Sequence, residues 1–600
     1  MKNFSKIIFC DSIEALNYFS NRGMLKTALV LTKSPSLLSL KKDNILNIED
    51  NLEESDRIKF RNNSELLIKS FFNKIKDYND GKHSIFLTAK FSAFLFYVFN
   101  AMLIKEEYIS KKFIIASPRV KNKILEEAVT TSFESILKEH KNCEIIKIPI
   151  RVTKERSARG ESKINIFNRL KSVGFNGLIW FVINLLSKYK FWRKNNKVGT
   201  IFYNELVRGI SISYMLHNFR TVVNYKNHIN FFNKNNIISD TNNHVNNLCD
   251  LSSTVLEEAF KDIKPIIIKN NLKKLWHEIL TNEIHNYENY YTAADNFLKH
   301  NKSLKVLVTG YIEPVKAAAL YQTCKSKNVS LITCQHGITR ELIDKPMLKA
   351  INFENTFSDH FFCFNQYGKY ITEKSFFHTF NKKIYIVGLP KDYFYQKLFN
   401  KPLKYNSILY VSTFLLSGGR PNILAAPSDF SMVKWEKELI NNVFTKIKSK
   451  LDFKPYPAFR YADDDEVIKS IKNHNNIRLV GAYKDLRYII NNYKLIITSG
   501  ATSTVSWCVQ TTKPLIYIDR KGPSKLSQKA KVDFEGAFFV FSDETLGWEK
   551  LLIEFINQPL KNIIAEWECK YDKRKTIVKE YFGEKQNMVG VNAIEEIIKQ

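Results

Sequence analysis

Short apolar, β-branched runs alternate along this chain with stretches whose apolar residues recur at helical spacing. That alternation commits it to an α/β fold built on largely parallel sheet. The clearest instance is "LKVLVTG" (304–310), then the helix-patterned "EPVKAAALYQTCKSK", then "SLITCQHG" (330–337). An earlier series runs "KIIFC" (6–10), "TALVLT" (27–32), "KFIIAS" (112–117) and "EIIKIPI" (144–150). A later one runs "SILYVST" (407–413), "LDFKPYP", "IRLVG", "KLIITS" and "PLIYID" (514–519), with helix-patterned sequence over 546–582. At 600 residues the chain exceeds what one core accommodates. The expected division is an α/β domain over 1–400, carrying a helical and basic insertion near 151–300, and a second over 401–600 that ends in a helical tail. Two polar stretches, "RVTKERSARGESK" (151–163) and "NKNNIISDTNNHVNN" (233–247), read as loops.

Charge narrows the partners. Ninety-one Lys and Arg against 60 Asp and Glu leave +31. That excess fits either a lysine-rich composition with no further meaning, or a phosphate-rich substrate or anionic membrane face. The sequence carries no zinc-ligand cluster, arginine-rich tail or other recognisable module for nucleic acid, so none is expected as partner. Eight scattered cysteines without a C-x-x-C pair point to reduced thiols and a cytoplasmic setting. Residues 1–20 hold no long apolar run and do not read as a signal peptide. Two apolar stretches fall short of a membrane span. "FSAFLFYVFNAMLI" (91–104) is expected as a buried helix. "GLIWFVINLL" (177–186) is flanked by Arg169, Lys171, Lys188, Lys190, Arg193 and Lys194, with Trp180, Phe191 and Trp192 nearby. It reads either as a packed helix or as one lying in an anionic membrane interface.

The residues fit for chemistry sit at strand ends. In "LIITSGATSTVSW", Ser499, Gly500, Thr502, Ser503 and Thr504 follow a strand and open a helix. Free backbone N–H groups and the helix dipole favour an anion there, Gly500 permits close approach, and the hydroxyls suit phosphate oxygens. "LYVSTFLLSGGRPN" (409–422) offers Gly418, Gly419 and Arg420 after a strand, without P-loop or G-x-G-x-x-G spacing. "FKPYPAFRY" (453–461) offers Lys454 and Arg460 to phosphate and Tyr456 as a stacking surface for a base. His336 follows a strand and precedes glycine, where open α/β sheets place ligands. A histidine is suited to take a proton from an acceptor hydroxyl. Glu313 is either the competing base or the partner that orients His336. The acidic run "DDDE" (463–466) reads as a solvated face, and no metal is expected.

The order of these motifs resembles the GT-B glycosyltransferase superfamily. More narrowly, it is similar to the capsular and surface-polysaccharide transferases of the CDP-glycerol glycerophosphotransferase-like group. The carriers are the strand-end "HG", "KIYIVGLPKDYF" (383–394), the strand "ILYVST", "YKLIITSGATST" and "KPLIYID", spread over residues 304–520. The histidine of that group's K-x-H-P element is Tyr456 here, and the acidic residue of its T-D-Y-S-S element is absent, which points away from the glycerophosphate branch. The resemblance implies two Rossmann-like domains across a cleft and a nucleotide-sugar as co-substrate, with no resident cofactor. The donor would be held by Ser412, Thr413, Gly418, Gly419, Arg420, Lys454, Tyr456, Arg460 and residues 499–504. His336 would act as general base on a glycan or lipid-linked acceptor. Rival expectations are a transferase using a CMP-activated acidic sugar, and a non-catalytic glycan- or membrane-binding protein on the same fold.

Overall fold

The computed structural model describes residues 4–78, 83–119, 129–150, 177–189, 191–192, 196–202, 204–218, 222–225, 242–343, 354–376, 382–394, 407–414, 416, 418, 428–456, 460–481, 486–511, 513–522 and 524–600. Their strands form three sheets in which every pair of neighbours with a described register runs parallel. The first holds β1 (Lys6–Phe9), β2 (Ala28–Thr32), β3 (Ile45–Asn47), β4 (Lys112–Arg119) and β5 (Cys143–Pro149), in the order 3-2-1-4-5. The second holds β6 (Val198–Thr200), β7 (Val222–Asn224), β8 (Val306–Thr309), β9 (Ser330–Cys334), β10 (His360–Cys363) and β11 (Lys383–Ile386), in the order 11-10-9-8-6-7. The third holds β12 (Ile408–Val411), β13 (Leu451–Lys454), β14 (Ile477–Leu479), β15 (Leu495–Ser499), β16 (Leu515–Asp519) and β17 (Phe539–Ser542), in the order 14-13-12-15-16-17.

The expected α/β class holds, and its physical reason is visible in the strands. β12, β15 and β16 are buried at every position, as strands covered by helices on both faces must be. The first 150 residues make a sheet of their own, so the segment read as one acceptor-side domain contains two sheets. The stretch near 151–300, read as an insertion, contributes β6 and β7 to the second sheet. The asparagine-rich 233–247 stretch is a loop only in expectation: residues 242–247 already belong to the helix Asn242–Phe260, and 233–241, like 151–163, lie outside the described residues.

A shared core joins the first two sheets, with side chains such as Phe9, Phe91, Trp276 and Leu307 in one cluster. The apolar helix Ser84–Met102 lies inside it. This helix is 19 residues long, enough by length and composition to cross a membrane. Its Phe86, Phe91 and Phe94 are nevertheless fully buried, and Phe91 stacks on Phe71 with ring centroids 4.3 Å apart. It is a core helix, as expected. A second core joins the other face of the middle sheet to the third sheet. The last helix, Val589–Lys599, returns to the second sheet: a Cβ placed on Gly590 would lie 3.1 Å from Val387 and 3.4 Å from Phe362.

Candidate active site

The third sheet presents its strand carboxyl ends to both other sheets. In its order the chain winds outward in two directions from β12, leaving a crevice between β12 and β15, where such sheets bind ligands. Two cross-strand hydrogen bonds tie its lips: the Thr413 hydroxyl donates to the Ser499 carbonyl, and the Thr498 hydroxyl to the Val411 carbonyl at 3.1 Å. Ser412 N–H donates to the Lys454 carbonyl at 3.0 Å, so the ends of β12, β13 and β15 form one rigid rim.

Beyond β15 the backbone turns at Gly500, whose φ of 68° lies in the left-handed region that only glycine adopts freely. Thr502 caps the helix Ser503–Val509 without using its side chain. Its hydroxyl is buried and unpartnered. Ser503 is exposed and Thr504 half-buried. The expected phosphate loop thus has a free hydroxyl at its centre.

The residue that gives this loop its charge was not expected. Arg520 follows β16, and its guanidinium lies 4.1 Å from the Phe414 ring centroid and 5.3 Å from that of Trp435. It packs directly against Gly500, where a Cβ would collide with Nη2. Nε is buried without a hydrogen-bond partner, and the guanidinium forms no ion pair among the described residues. Burial works against its charge. Asp543 and Glu436 favour the charge through space without pairing directly with it, and a buried cation without a direct partner is costly.

Phe414 also walls a pocket lined by Ser412, Glu436, Tyr456, Arg460 and Tyr461, and by Pro35 and Ser36 from the first sheet's β2 end. Tyr461 donates to Asp429 Oδ2 at 2.7 Å, and that oxygen accepts from Gly418 N–H at 2.8 Å. Gly418, with φ of 57°, backs onto Arg460, where a Cβ would lie 2.9 Å from that residue's Cβ. Lys454 is buried, and its ammonium donates to the Pro455 carbonyl at 3.2 Å. Gly419 and Arg420 lie outside the described residues. The acidic run is only partly a solvated face: Asp464 is exposed, and Asp463, Asp465 and Glu466 are half-buried. Asp463 accepts from Ile13 N–H at 3.1 Å with both oxygens, and the Asp464 carbonyl accepts from the Ser36 hydroxyl at 3.2 Å. It clasps the first sheet onto the third.

Glu436 is the second unexpected residue. Burial pushes its carboxyl up to about 8, against the lowering effect of bonds from Ser412 and Tyr410; the Tyr410 hydroxyl donates to it at 2.8 Å. An unfolded Glu sheds its proton near the ordinary 4.5. Between those values the unfolded chain releases a proton that the native state keeps, so stability falls as pH rises and levels off above about 8. Glu436→Gln removes that slope, so melting temperature at alkaline pH should rise relative to wild type and match it in weak acid. Parallel pH profiles for the two proteins would contradict this.

Across the crevice, β9 ends at Gln335–His336–Gly337. Gln335 Oε1 accepts from Phe364 N–H at 3.1 Å, while its amide donates to the Gly337 carbonyl at 3.1 Å and to buried Glu341. Glu341 in turn accepts from Thr339 N–H at 3.0 Å. The loop is rigid, and His336 stands exposed on it. A Cβ on Gly337 would lie 3.1 Å from the Cβ of Ser503, so the structure brings the His336 loop against the 499–504 turn. The expected pairing of Glu313 with His336 is not formed. Glu313 binds Lys90 at 3.4 Å and Lys316 at 3.0 Å. These lysines overcome burial and hold its carboxyl below the usual range.

No protein-family model matches the chain, and no curated protein matches it. Among solved structures, MurG of Acinetobacter baumannii superposes over 52% of this chain and 79% of its own, with 13% identity and a TM-score of 0.31. Arabidopsis thaliana UGT89C1 complexed with quercetin covers 68% of this chain and 100% of its own, with 10% identity and a TM-score of 0.35. UDP-GlcNAc 2-epimerase from Neisseria meningitidis bound to UDP-GlcNAc covers 67% and 98%, with 10% identity and a TM-score of 0.33. Likeness at this level assigns no family.

Proposed function

We propose that the protein is a glycosyltransferase of the GT-B arrangement, moving a sugar from a nucleotide-activated donor to a surface polysaccharide or glycolipid acceptor. One observation carries this reading: the buried guanidinium of Arg520, in no direct ion pair among the described residues, sits beside Gly500 and the free Thr502 hydroxyl, at a switch-point crevice that faces His336. The donor's phosphates lie over Gly500, Thr502, Ser503 and Thr504, with Arg520 beneath them. The base and ribose occupy the neighbouring pocket against Phe414, Tyr456 and Arg460. Lys454, Ser412, Thr413, Ser499 and Gly418 shape that rim from behind. Departure of the nucleotide builds negative charge at its phosphate, and a fixed cation with helix N–H groups stabilises that charge without reorganising. No metal or other cofactor is required in this scheme.

His336 takes the proton of the attacking acceptor hydroxyl. Glu313, committed to two lysines, serves the fold around it. The eight cysteines, none of them in a disulfide, favour a reducing, cytoplasmic setting. Incubating the protein with nucleotide-sugars and a glycan extract, and measuring nucleotide release, tests the proposal. Release that depends on acceptor supports it, and release from a CMP-sugar alone would move the acidic-sugar donor to first place. Tight glycan binding with no release from any donor would favour the non-catalytic binding role.

A further inference from the structure

The helix Gly177–Leu186 is apolar on both sides, and among the described residues only one side is packed. Ile179, Trp180 and Ile183 are buried against Ile212 and the partly buried Met215. The opposite face, Leu178, Phe181, Val182 and Leu185, is exposed at 39–50%, and Tyr189 and Phe191 extend it at 61% and 80%. A contiguous apolar face of this kind marks a contact surface. At about 1.5 Å per residue, ten residues reach only half the thickness of a bilayer core, so the helix cannot cross one. It can lie in the plane of one.

Charge identifies the occupant. Between Glu161 and Glu205 the sequence holds no acidic residue and eight basic ones: Lys163, Arg169, Lys171, Lys188, Lys190, Arg193, Lys194 and Lys197. Lys188 and Lys197 are exposed. A second copy of this chain would bring the same positive charge against it and be repelled. An anionic bilayer supplies both the apolar depth and the opposite charge.

The helix is also fixed relative to the crevice. The Asn224 N–H donates to the Ser187 hydroxyl at 2.8 Å, and Asn224 is the last residue of β7. The second sheet is parallel, so this is the same end of the sheet that carries His336 after β9. We infer that the exposed face of this helix docks the protein on an anionic membrane surface, with the His336 end of the second sheet held beside the bilayer. The docking surface stands independently of the transfer reading. Its use in presenting a lipid-linked acceptor to His336 rests on that reading.

The test is sedimentation of the full-length protein with vesicles of phosphatidylcholine, with and without phosphatidylglycerol. Binding is expected only to the anionic vesicles, weakened by salt. Phe181→Glu/Leu185→Glu should lower vesicle affinity at least about tenfold while leaving melting temperature and the response to nucleotides unchanged. Wild-type protein that stays in solution with anionic vesicles would overturn the inference. So would a variant that sediments like wild type, or a wild-type dimer in solution that the variant abolishes, which would make the face an interface between copies. Vesicle binding that persists in a protein releasing no nucleotide would separate failure of the transfer reading from failure of this one.

Discussion

Replacing Arg520 with methionine is expected to raise the melting temperature of the ligand-free protein while weakening nucleotide binding by about ten- to a hundredfold. The second effect follows from the loss of charge-assisted hydrogen bonds to phosphate, worth about 1.5–3 kcal/mol, where about 1.4 kcal/mol is a factor of ten. The first follows from the surroundings of the side chain. Arg520 lies against Phe414 and Trp435 with a buried, unpartnered Nε, and exchanging a buried charge that has no direct ion pair for an apolar side chain relieves its desolvation. The opposite signs distinguish a binding residue from a structural one, whose removal would lower both quantities. Arg520→Lys keeps the charge but loses the planar fork and should fall between. Unchanged nucleotide affinity in Arg520→Met would remove the phosphate role assigned here.

His336→Ala is expected to lower turnover at least about 10²-fold, the usual contribution of a positioned general base, with nucleotide binding intact. The separation follows from geometry, because His336 belongs to the second sheet's loop and the 499–504 turn to the third. Glu313→Gln should retain most activity, since its carboxylate is engaged by Lys90 and Lys316. Full activity in His336→Ala with an inactive Glu313→Gln would transfer the proton-accepting role to Glu313.

The strands of the third sheet were legible in the sequence because "ILYV", "LIITS" and "LIYID" are continuous apolar runs closed by polar strand ends. The turn at 499–504 was legible for the same reason: small hydroxylated residues and a glycine follow such a run. β6 and β7 were not. Strands of three residues are too short for periodicity to register, and their place beside β8 is a tertiary fact. That residues 1–150 form a separate sheet was hidden likewise, because partner choice in parallel pairing is non-local.

Arg520 escaped notice because an arginine after "PLIYID" reads as a surface residue until its burial is seen. Its position directly after a strand of the same sheet was the one available signal. Glu436 sits in "VKWEKELI", where its spacing gives no sign that the carboxyl faces the sheet. The run "DDDE" misled by composition: four consecutive acids read as solvated, yet Asp463 accepts from the backbone at the start of a helix on the first sheet.

A thermal-shift panel with CMP, CDP, UDP, GDP and ADP, with and without magnesium, asks whether the third sheet holds a nucleotide at Gly500 and Arg520. A ligand at about 100 times its dissociation constant adds about 2.7 kcal/mol of stability, which moves the transition visibly. A clear shift is expected with at least one nucleotide, undiminished without magnesium and reduced in Arg520→Met. The absence of a shift with every nucleotide would contradict the donor site.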